Sequence, residues 1–346
     1  PALIEALADK VPEVSAEATT TCLAVVDAIS PHATASVLPT ILAEAGGKWQ
    51  CNLGRVQMLS ALAKRCPDQV SILLPDIVPV LGDLMNETKV KVKEAAVSAM
   101  ADVFATMTNK DLASFVPEII ACIQDPSRTP ETVHKLAGVV FVQEITAPAL
   151  ALMAPLLHRG FTMPAAAIKR NCARIVENMS KLVDDPYEVE PFVPILLPQL
   201  DRAKEEVSDP ECRDVCKSAY EQLKMTAEQP PVWKRVDAET VGSALMTALG
   251  EKATLDAERK AFVTSLALSL LAQKELNADT WRAALGPYLG ESLAPAVGAL
   301  RDACAGYVKV EEAKEEEDDA EQLCDCQFSL AYGNKVLLNQ TQLKLK

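Results

Sequence analysis

The sequence predicts an all-α fold: a solenoid of repeated helix pairs, then a small four-helix bundle, with a short β segment at the C-terminal end. Three observations predict it. The first is composition. Of 346 residues, 49% are hydrophobic, only 4% are aromatic, and 13 are glycine. A chain rich in Ala and Leu and poor in Gly packs helix on helix; it does not suit a β-sandwich, a propeller or a glycine-looped nucleotide fold. The second is a proline-centred segment that recurs along residues 1–230. The third is a change of pattern after residue 230 and again after residue 322.

The recurring segment reads Val37-Leu38-Pro39-Thr40-Ile41-Leu42, Leu73-Leu74-Pro75-Asp76-Ile77-Val78, Phe115-Val116-Pro117-Glu118-Ile119-Ile120, Met153-Ala154-Pro155-Leu156-Leu157 and Phe192-Val193-Pro194-Ile195-Leu196-Leu197. Its prolines are 36, 42, 38 and 39 residues apart. A column of basic residues runs in phase: Arg55, Lys93, Lys135, Arg170 and Arg213 follow their prolines by 16, 18, 18, 15 and 19 residues. Three positions beyond each stands a small or slender residue, Met58, Ala96, Gly138, Ala173 or Cys216. Each repeat therefore holds two helices, the first carrying the proline and the second starting near the basic residue. An interior proline removes a backbone donor and kinks its helix, so the column predicts bent first helices and a curved stack. The period and the paired columns resemble the HEAT repeat family, whose repeats run to about 40–47 residues. Pro1 to Ser30 resembles one further, incomplete repeat. The array spans 1–230, about six repeats.

Glu228-Gln229-Pro230-Pro231-Val232-Trp233 breaks the period, and a double proline marks a boundary. Residues 231–310 keep helical periodicity without the columns. Helices are expected at Ala238–Leu249, Leu255–Lys274, Asp279–Leu289 and Leu293–Val308, with Asp279-Thr280 as a capping region. Four short helices with brief connections form a bundle. Residues 311–322 are a block of charge that reads as a solvated linker. Residues 323–346 change character again. Leu323 to Leu330 alternates, Tyr332-Gly333-Asn334-Lys335 turns, Val336-Leu337-Leu338 is a short apolar run, and Thr341 to Lys346 alternates once more. These are strands, and they do not make a stable sheet alone. The chain is thus expected to start inside an array and stop inside a domain.

Those final 24 residues resemble the opening strands of an ATP-binding cassette domain. In that family an aromatic residue before a Gly-containing turn stacks on adenine, and Tyr332 matches the position. The phosphate loop G-x-x-x-x-G-K-[ST] occurs nowhere in 1–346, because Gly47-Lys48 is followed by Trp49. The order of parts, together with the string Leu323-Cys324-Asp325-Cys326-Gln327-Phe328-Ser329-Leu330-Ala331-Tyr332-Gly333, resembles the fungal-type translation elongation factor 3 family over essentially the whole chain. The resemblance implies a cytoplasmic, ribosome-associated ATPase of two tandem cassettes that promotes exit of tRNA from the ribosomal E site. It implies ATP and Mg in the intact parent and none bound to this stretch. It implies partners in rRNA and ribosomal proteins, no membrane, and a monomer. The alternative is a non-enzymatic HEAT scaffold or adaptor that binds ribosomes or other proteins.

Charge bears on which residues could touch RNA. The net charge is −14, divided as −9 over 1–231, 0 over 232–310, −7 over 311–322 and +2 over 323–346. An acidic chain is a poor generic nucleic-acid binder, so phosphate contact must come from local clusters. The basic column itself reads first as a ladder tying helices to carboxylates and carbonyls. The surface candidates are Lys89, Lys91 and Lys93 at a repeat turn, and Lys169, Arg170 and Arg174 near a helix start. Trp49, Trp233 and Trp281 read as packing anchors. The ten cysteines include no C-x-x-C pair, and none has a histidine at ligand spacing. They read as reduced, mostly buried thiols. Cys212 and Cys216 share a helix face but lack further ligands for a metal. No apolar run approaches the ~18–20 residues of a membrane span. No nucleophile–base, metal or phosphate-loop constellation appears, so no catalytic residue is assigned.

Overall fold

The computed structural model describes residues 2–44, 47–231, 233–250, 255–290, 293–308, 324–332 and 335–345. The acidic block 311–322 lies outside them, as do Gly333 and Asn334 of the expected turn. Two units are present, residues 1–309 and 310–346.

The first unit is helical. An N-terminal pair, α1 (Ala2–Ala6) and α2 (Pro12–Ala28), leads into five repeats. Their first helices are α3 (Thr34–Leu42), α6 (Leu74–Leu84), α9 (Val116–Gln124), α11 (Ala147–Thr162) and α14 (Val193–Glu206). Their second helices are α4 (Trp49–Arg65), α7 (Val90–Phe104), α10 (Thr129–Ala137), α12 (Ala166–Ser180) and α15 (Pro210–Glu228). Short helical turns precede several first helices: a 3-10 turn at Pro31–Ala33, α5 (Pro67–Ile72), α8 (Lys110–Ala113) and α13 (Pro186–Val189). The second helices stack on one another, α4 on α7 and α10 on α12 on α15.

The structure corrects the role expected of the prolines. Pro75, Pro117 and Pro194 stand in the first turns of α6, α9 and α14. There the missing N–H has no intrahelical acceptor and the fixed φ suits a helix start. Only Pro39 and Pro155 of the column lie inside their helices. In the first three cases the proline starts the helix and does not kink it.

Packing follows the phase of the columns. Met58, Ala96, Ala173 and Cys216 are all buried, as a position one turn after the basic residue on the inner face should be. The third repeat departs from the expected pattern: Lys135 stands in the last turn of α10 rather than near its start, and Gly138 is the exposed C-cap of that helix. One continuous apolar core runs from Ile4 to Leu223, as expected of repeats that bury their faces only on neighbours. Where helices come closest the residue is glycine: a Cβ at Gly160 of α11 would lie 2.4 Å from Cys172 Sγ on α12.

The bundle comprises α16 (Ala238–Leu249), α17 (Ala257–Ala272), α18 (Ala278–Leu289) and α19 (Ala294–Val308). It has its own core around Trp281, Leu266, Leu270, Leu285 and Leu300. Trp281 is fully buried and its indole N–H donates to the Glu275 carbonyl at 2.8 Å. Trp49 and Trp233 are half-buried against the two cores. The cap of α18 is Asn277, two residues earlier than expected; its side chain accepts from the Asp279 and Thr280 amides. Ala33, from the array, is buried in the bundle core, and α17 packs on α3 and the turn before it.

In the second unit, β1 (Cys324–Tyr332) pairs antiparallel with β2 (Lys335–Leu345). The expected break between Leu338 and Thr341 is absent. β2 continues through it, and the register shifts between the pairs Phe328–Thr341 and Leu330–Leu338 and again at Ala331–Val336. Each shift absorbs one extra residue of β2 without ending the strand.

Candidate nucleic-acid interface

Four of the five column residues are committed inside the array. Arg55 of α4 is buried, and its guanidinium donates to the carbonyls of Ile41 and Leu42 at the end of α3 and to Asn52 Oδ1. Burial pulls its pKa down, with Glu44 opposing. Arg213 plays the same part in the fifth repeat, donating to the Val207 and Ser208 carbonyls at 2.7 and 3.1 Å just past α14. Arg55 satisfies orphan carbonyls in the last turn of α3, and Arg213 those of the two residues that follow α14. Lys135 of α10 pairs with Glu118 of α9 and with Glu131, each at 2.9 Å. Hydrogen bonds to Glu118 and Glu131 hold its pKa above the usual lysine value. Arg170 of α12 pairs with Glu211 of α15 at 2.9 Å, tying consecutive repeats.

Lys93 is different. It lies with Lys89 and Lys91 at the start of α7, and all three are exposed. No ion pair of theirs is present among the described residues. Lys89 is the N-cap residue, it supplies no side-chain cap, and the first turn of α7 holds no acid. Glu87 stands two residues before, but its carboxylate accepts from the Thr88 amide and hydroxyl, which hold it below the ordinary carboxylate range, with Lys89 a lesser cause. Cations at a helix N-terminus oppose the macrodipole. The site therefore combines free backbone N–H groups, the positive end of a dipole and three unpaired ammonium groups. An external oxyanion such as a backbone phosphate answers all three.

The second cluster is partly occupied. α12 also starts without a side-chain cap or an acid in its first turn. Arg170 is taken by Glu211, and Arg174 reaches the same carboxylate only at 3.9 Å. Lys169 is half-buried and Arg174 exposed. Sequence spacing showed the density of charge here but not the carboxylate supplied from α15, 41 residues away in the chain for Arg170.

Both clusters share an edge of the array. Helices within a repeat are antiparallel, so the starts of second helices lie with the ends of first helices, as the bonds of Arg55 and Arg213 show. The bundle sits at the opposite edge. The cavity between bundle and array, about 710 Å3, is lined on the array side by residues at the starts of first helices, among them Pro75, Asp76 and Ala147, and by Asp185 at the start of the turn before α14. The basic edge is left uncovered by the bundle.

The thiols belong to the core. All eight cysteines in the first unit are buried and free. Cys172, Cys212 and Cys216 gather between α12 and α15, and burial pushes Cys216 up to about 12 and Cys172 further. Among the described residues no group of three His, Cys, Asp or Glu could hold a metal. No single described helix is long and apolar enough to cross a membrane. Tyr332 is the last residue of β1, in register with Lys335.

Comparison with known proteins adds family and extent. Residues 1–100 match the family described as EF3 N-terminal HEAT repeat, and residues 127–232 match the Elongation factor 3/GNC1 HEAT repeat. The chain is 36% identical over 369 aligned positions to elongation factor 3 of Gonapodya prolifera, covering 100% of this chain and 34% of that protein. It is 34% identical to elongation factor 3A of Saccharomyces cerevisiae, covering 100% of this chain and 35% of the relative. The chain thus spans about a third of the length of the curated relatives it matches. Among solved structures, an archaeal HEAT-like repeats protein from Thermococcus onnurineus NA1 aligns at 12% identity and a TM-score of 0.24, over 74% of this chain and 97% of that one.

Proposed function

As the chain belongs, through these two stretches, to the elongation factor 3 HEAT-repeat families, we propose that it is the ribosome-docking part of a translation elongation factor ATPase that promotes tRNA release from the E site. The observation that supports this most is that the identity to elongation factor 3 runs through array, bundle and terminal strands alike, whereas HEAT repeats alone would suit any scaffold. In this reading the uncovered edge of the array meets the ribosome. Lys89, Lys91 and Lys93 contact rRNA phosphates, and Lys169 and Arg174 add to them. Arg170 serves the array first through Glu211.

The chain itself takes no catalytic step. A nucleotide needs a backbone cradle and a lysine at its phosphates, and residues 1–346 contain no phosphate loop. Tyr332 is the adenine platform of a cassette whose ATP and Mg chemistry belongs to sequence outside this chain. The protein works in the cytoplasm as a monomer.

The test is cosedimentation of the purified chain with ribosomes across a salt series, with ATP turnover measured alongside. Salt-sensitive binding without turnover is expected. Binding that is absent at low salt contradicts the docking role, and turnover by this chain contradicts the division of labour.

A further inference from the structure

The three bundle helices with described C-terminal boundaries end in two ways. α16 and α18 end on glycines at positive φ, Gly250 at 74° and Gly290 at 79°. α17 ends on Lys274 at φ 56°, the one non-glycine residue with positive φ among the described residues. The Lys274 amide donates to the Leu271 carbonyl and the Glu275 amide to the Leu270 carbonyl, both at 3.0 Å. This is the left-handed helix stop that glycine makes without strain. A lysine there is unfavourable locally, so its side chain must do something glycine cannot.

Its ammonium group lies 3.2 Å from Asp185 Oδ2. Asp185 belongs to the fifth repeat, where its other oxygen caps α13 by accepting from the Tyr187 amide. The Asp185 side chain is only 9% exposed. Around it stand Glu144, Asp184 and Glu188, close enough that Glu144 is raised by burial first and then by these neighbours, with Lys274 acting against them. The bundle thus brings a cation to a group of array carboxylates, of which Asp185 is buried, Glu188 half-buried, and Glu144 and Asp184 exposed. The remaining ties are small. Ser36 of α3 and Ser265 of α17 share a hydrogen bond at 2.5 Å, Ala33 enters the bundle core, and Arg235 in the connector pairs with Glu190 and donates to the Tyr187 carbonyl.

We propose that Lys274 is a latch that holds α17 on the fifth repeat, and that releasing it lets bundle and array part as intact folded units along the cavity between them. The backbone strain at Lys274 is retained because only a cation reaching from that helix end answers Asp185. The Lys274 side chain is 51% exposed, so salt and competing cations reach the latch.

The Ser36–Ser265 hydrogen bond supplies the reporter. In the full chain carrying Ser36→Cys and Ser265→Cys, disulfide formation under mild oxidation reports docking, because the two hydroxyl oxygens that the sulfurs replace lie 2.5 Å apart. Single-cysteine chains control for the buried native thiols. Lys274→Gly is added to this pair, and hydrogen exchange of α17 and α18 is followed in parallel. Crosslinking is expected to slow roughly threefold to tenfold, the range for removing a part-buried charged pair, while exchange within α17 and α18 stays as slow or becomes slower through relief of strain. Crosslinking at the parental rate overturns the latch. Should Lys274→Gly speed exchange across the whole bundle, Asp185→Asn in the same background decides: slowed crosslinking with unchanged bundle exchange supports the latch, and an unchanged rate overturns it.

Discussion

Three second helices of the array, α4, α7 and α12, start in the opposite way to α16, α17 and α18 of the bundle, whereas α15 of the array is capped by Asp209 as those bundle helices are capped. In the bundle, α16, α17 and α18 are each capped by an acidic or amide side chain, Asp237, Asp256 and Asn277, which accepts from amides of the first turn. In the array, α4, α7 and α12 begin at Lys48, Lys89 and Ala165 with no side-chain cap and no acid in the first turn. The bundle satisfies its orphan donors from within. The array leaves those of α7 and α12 beside cations, an arrangement that lowers the stability of the free chain and favours an arriving anion. A residue's worth therefore depends on which edge it serves. Arg55, Lys135 and Arg213 hold helices together, whereas Lys93, in the same column, holds nothing in the protein.

The sharpest way to break this comparison is to attack the self-sufficient side. Trp281→Ala removes the largest fully buried side chain of the bundle and the partner of the Glu275 carbonyl. We expect a loss of about 3–5 kcal/mol, read as a lowered urea midpoint of the bundle with the array transition little changed. Next come the two arginine caps of the array. Arg55→Ala strands the Ile41 and Leu42 carbonyls in a buried setting and should cost about 1–3 kcal/mol, measured by denaturant unfolding. Lys93→Ala in the same column should fall within about 0.5 kcal/mol of the parent. Equal losses would erase the distinction between the two.

Smaller effects test the caps themselves. Asn277→Ala should destabilise the bundle by about 1 kcal/mol, the usual worth of such a cap, and Lys89→Ala at the matching position of α7 should cost close to nothing. Differential scanning of the two variants compares them directly. The last stability effect is the most informative in sign. Converting Lys89, Lys91 and Lys93 together to Glu should leave the melting temperature unchanged or raised, since each reversal at a helix start gains about 0.3–1 kcal/mol of dipole interaction at most. A marked fall would show that the lysines serve the fold.

Much of this was legible from residue order. The two columns placed the repeat pairs, and the small residue three positions after the basic one marked the buried face in four repeats, as Ala96, Ala173 and Cys216 show, but not at Gly138, which ends α10. Gly250 and the stretch at Asn277 marked the bundle helices. What spacing could not show was long-range partnership. The proline column carried no information on whether Pro75 starts a helix or bends one, because both readings need the same residue at the same period, and the short turn α5 ahead of it decides the matter. Glu211 takes Arg170 across two stacked helices, and Lys274 meets Asp185 from 89 residues further along the chain. Neither pairing leaves a trace in periodicity. The continuity of β2 was missed for a related reason: a bulge looks like a break when strands are read one at a time.

The central claim is that the uncapped basic start of α7 is a docking surface for ribosomal phosphate. Its most direct test is the salt dependence of ribosome binding by the full chain and by the Lys89→Glu, Lys91→Glu, Lys93→Glu variant, with a charge-reversed residue of the 311–322 block as control. The triple variant is expected to bind at least tenfold more weakly at moderate salt. Its slope of log affinity against log salt should fall by about three, close to one for each phosphate that a lysine no longer neutralises. The control should bind like the parent. Parental affinity and an unchanged slope in the triple variant would contradict the claim.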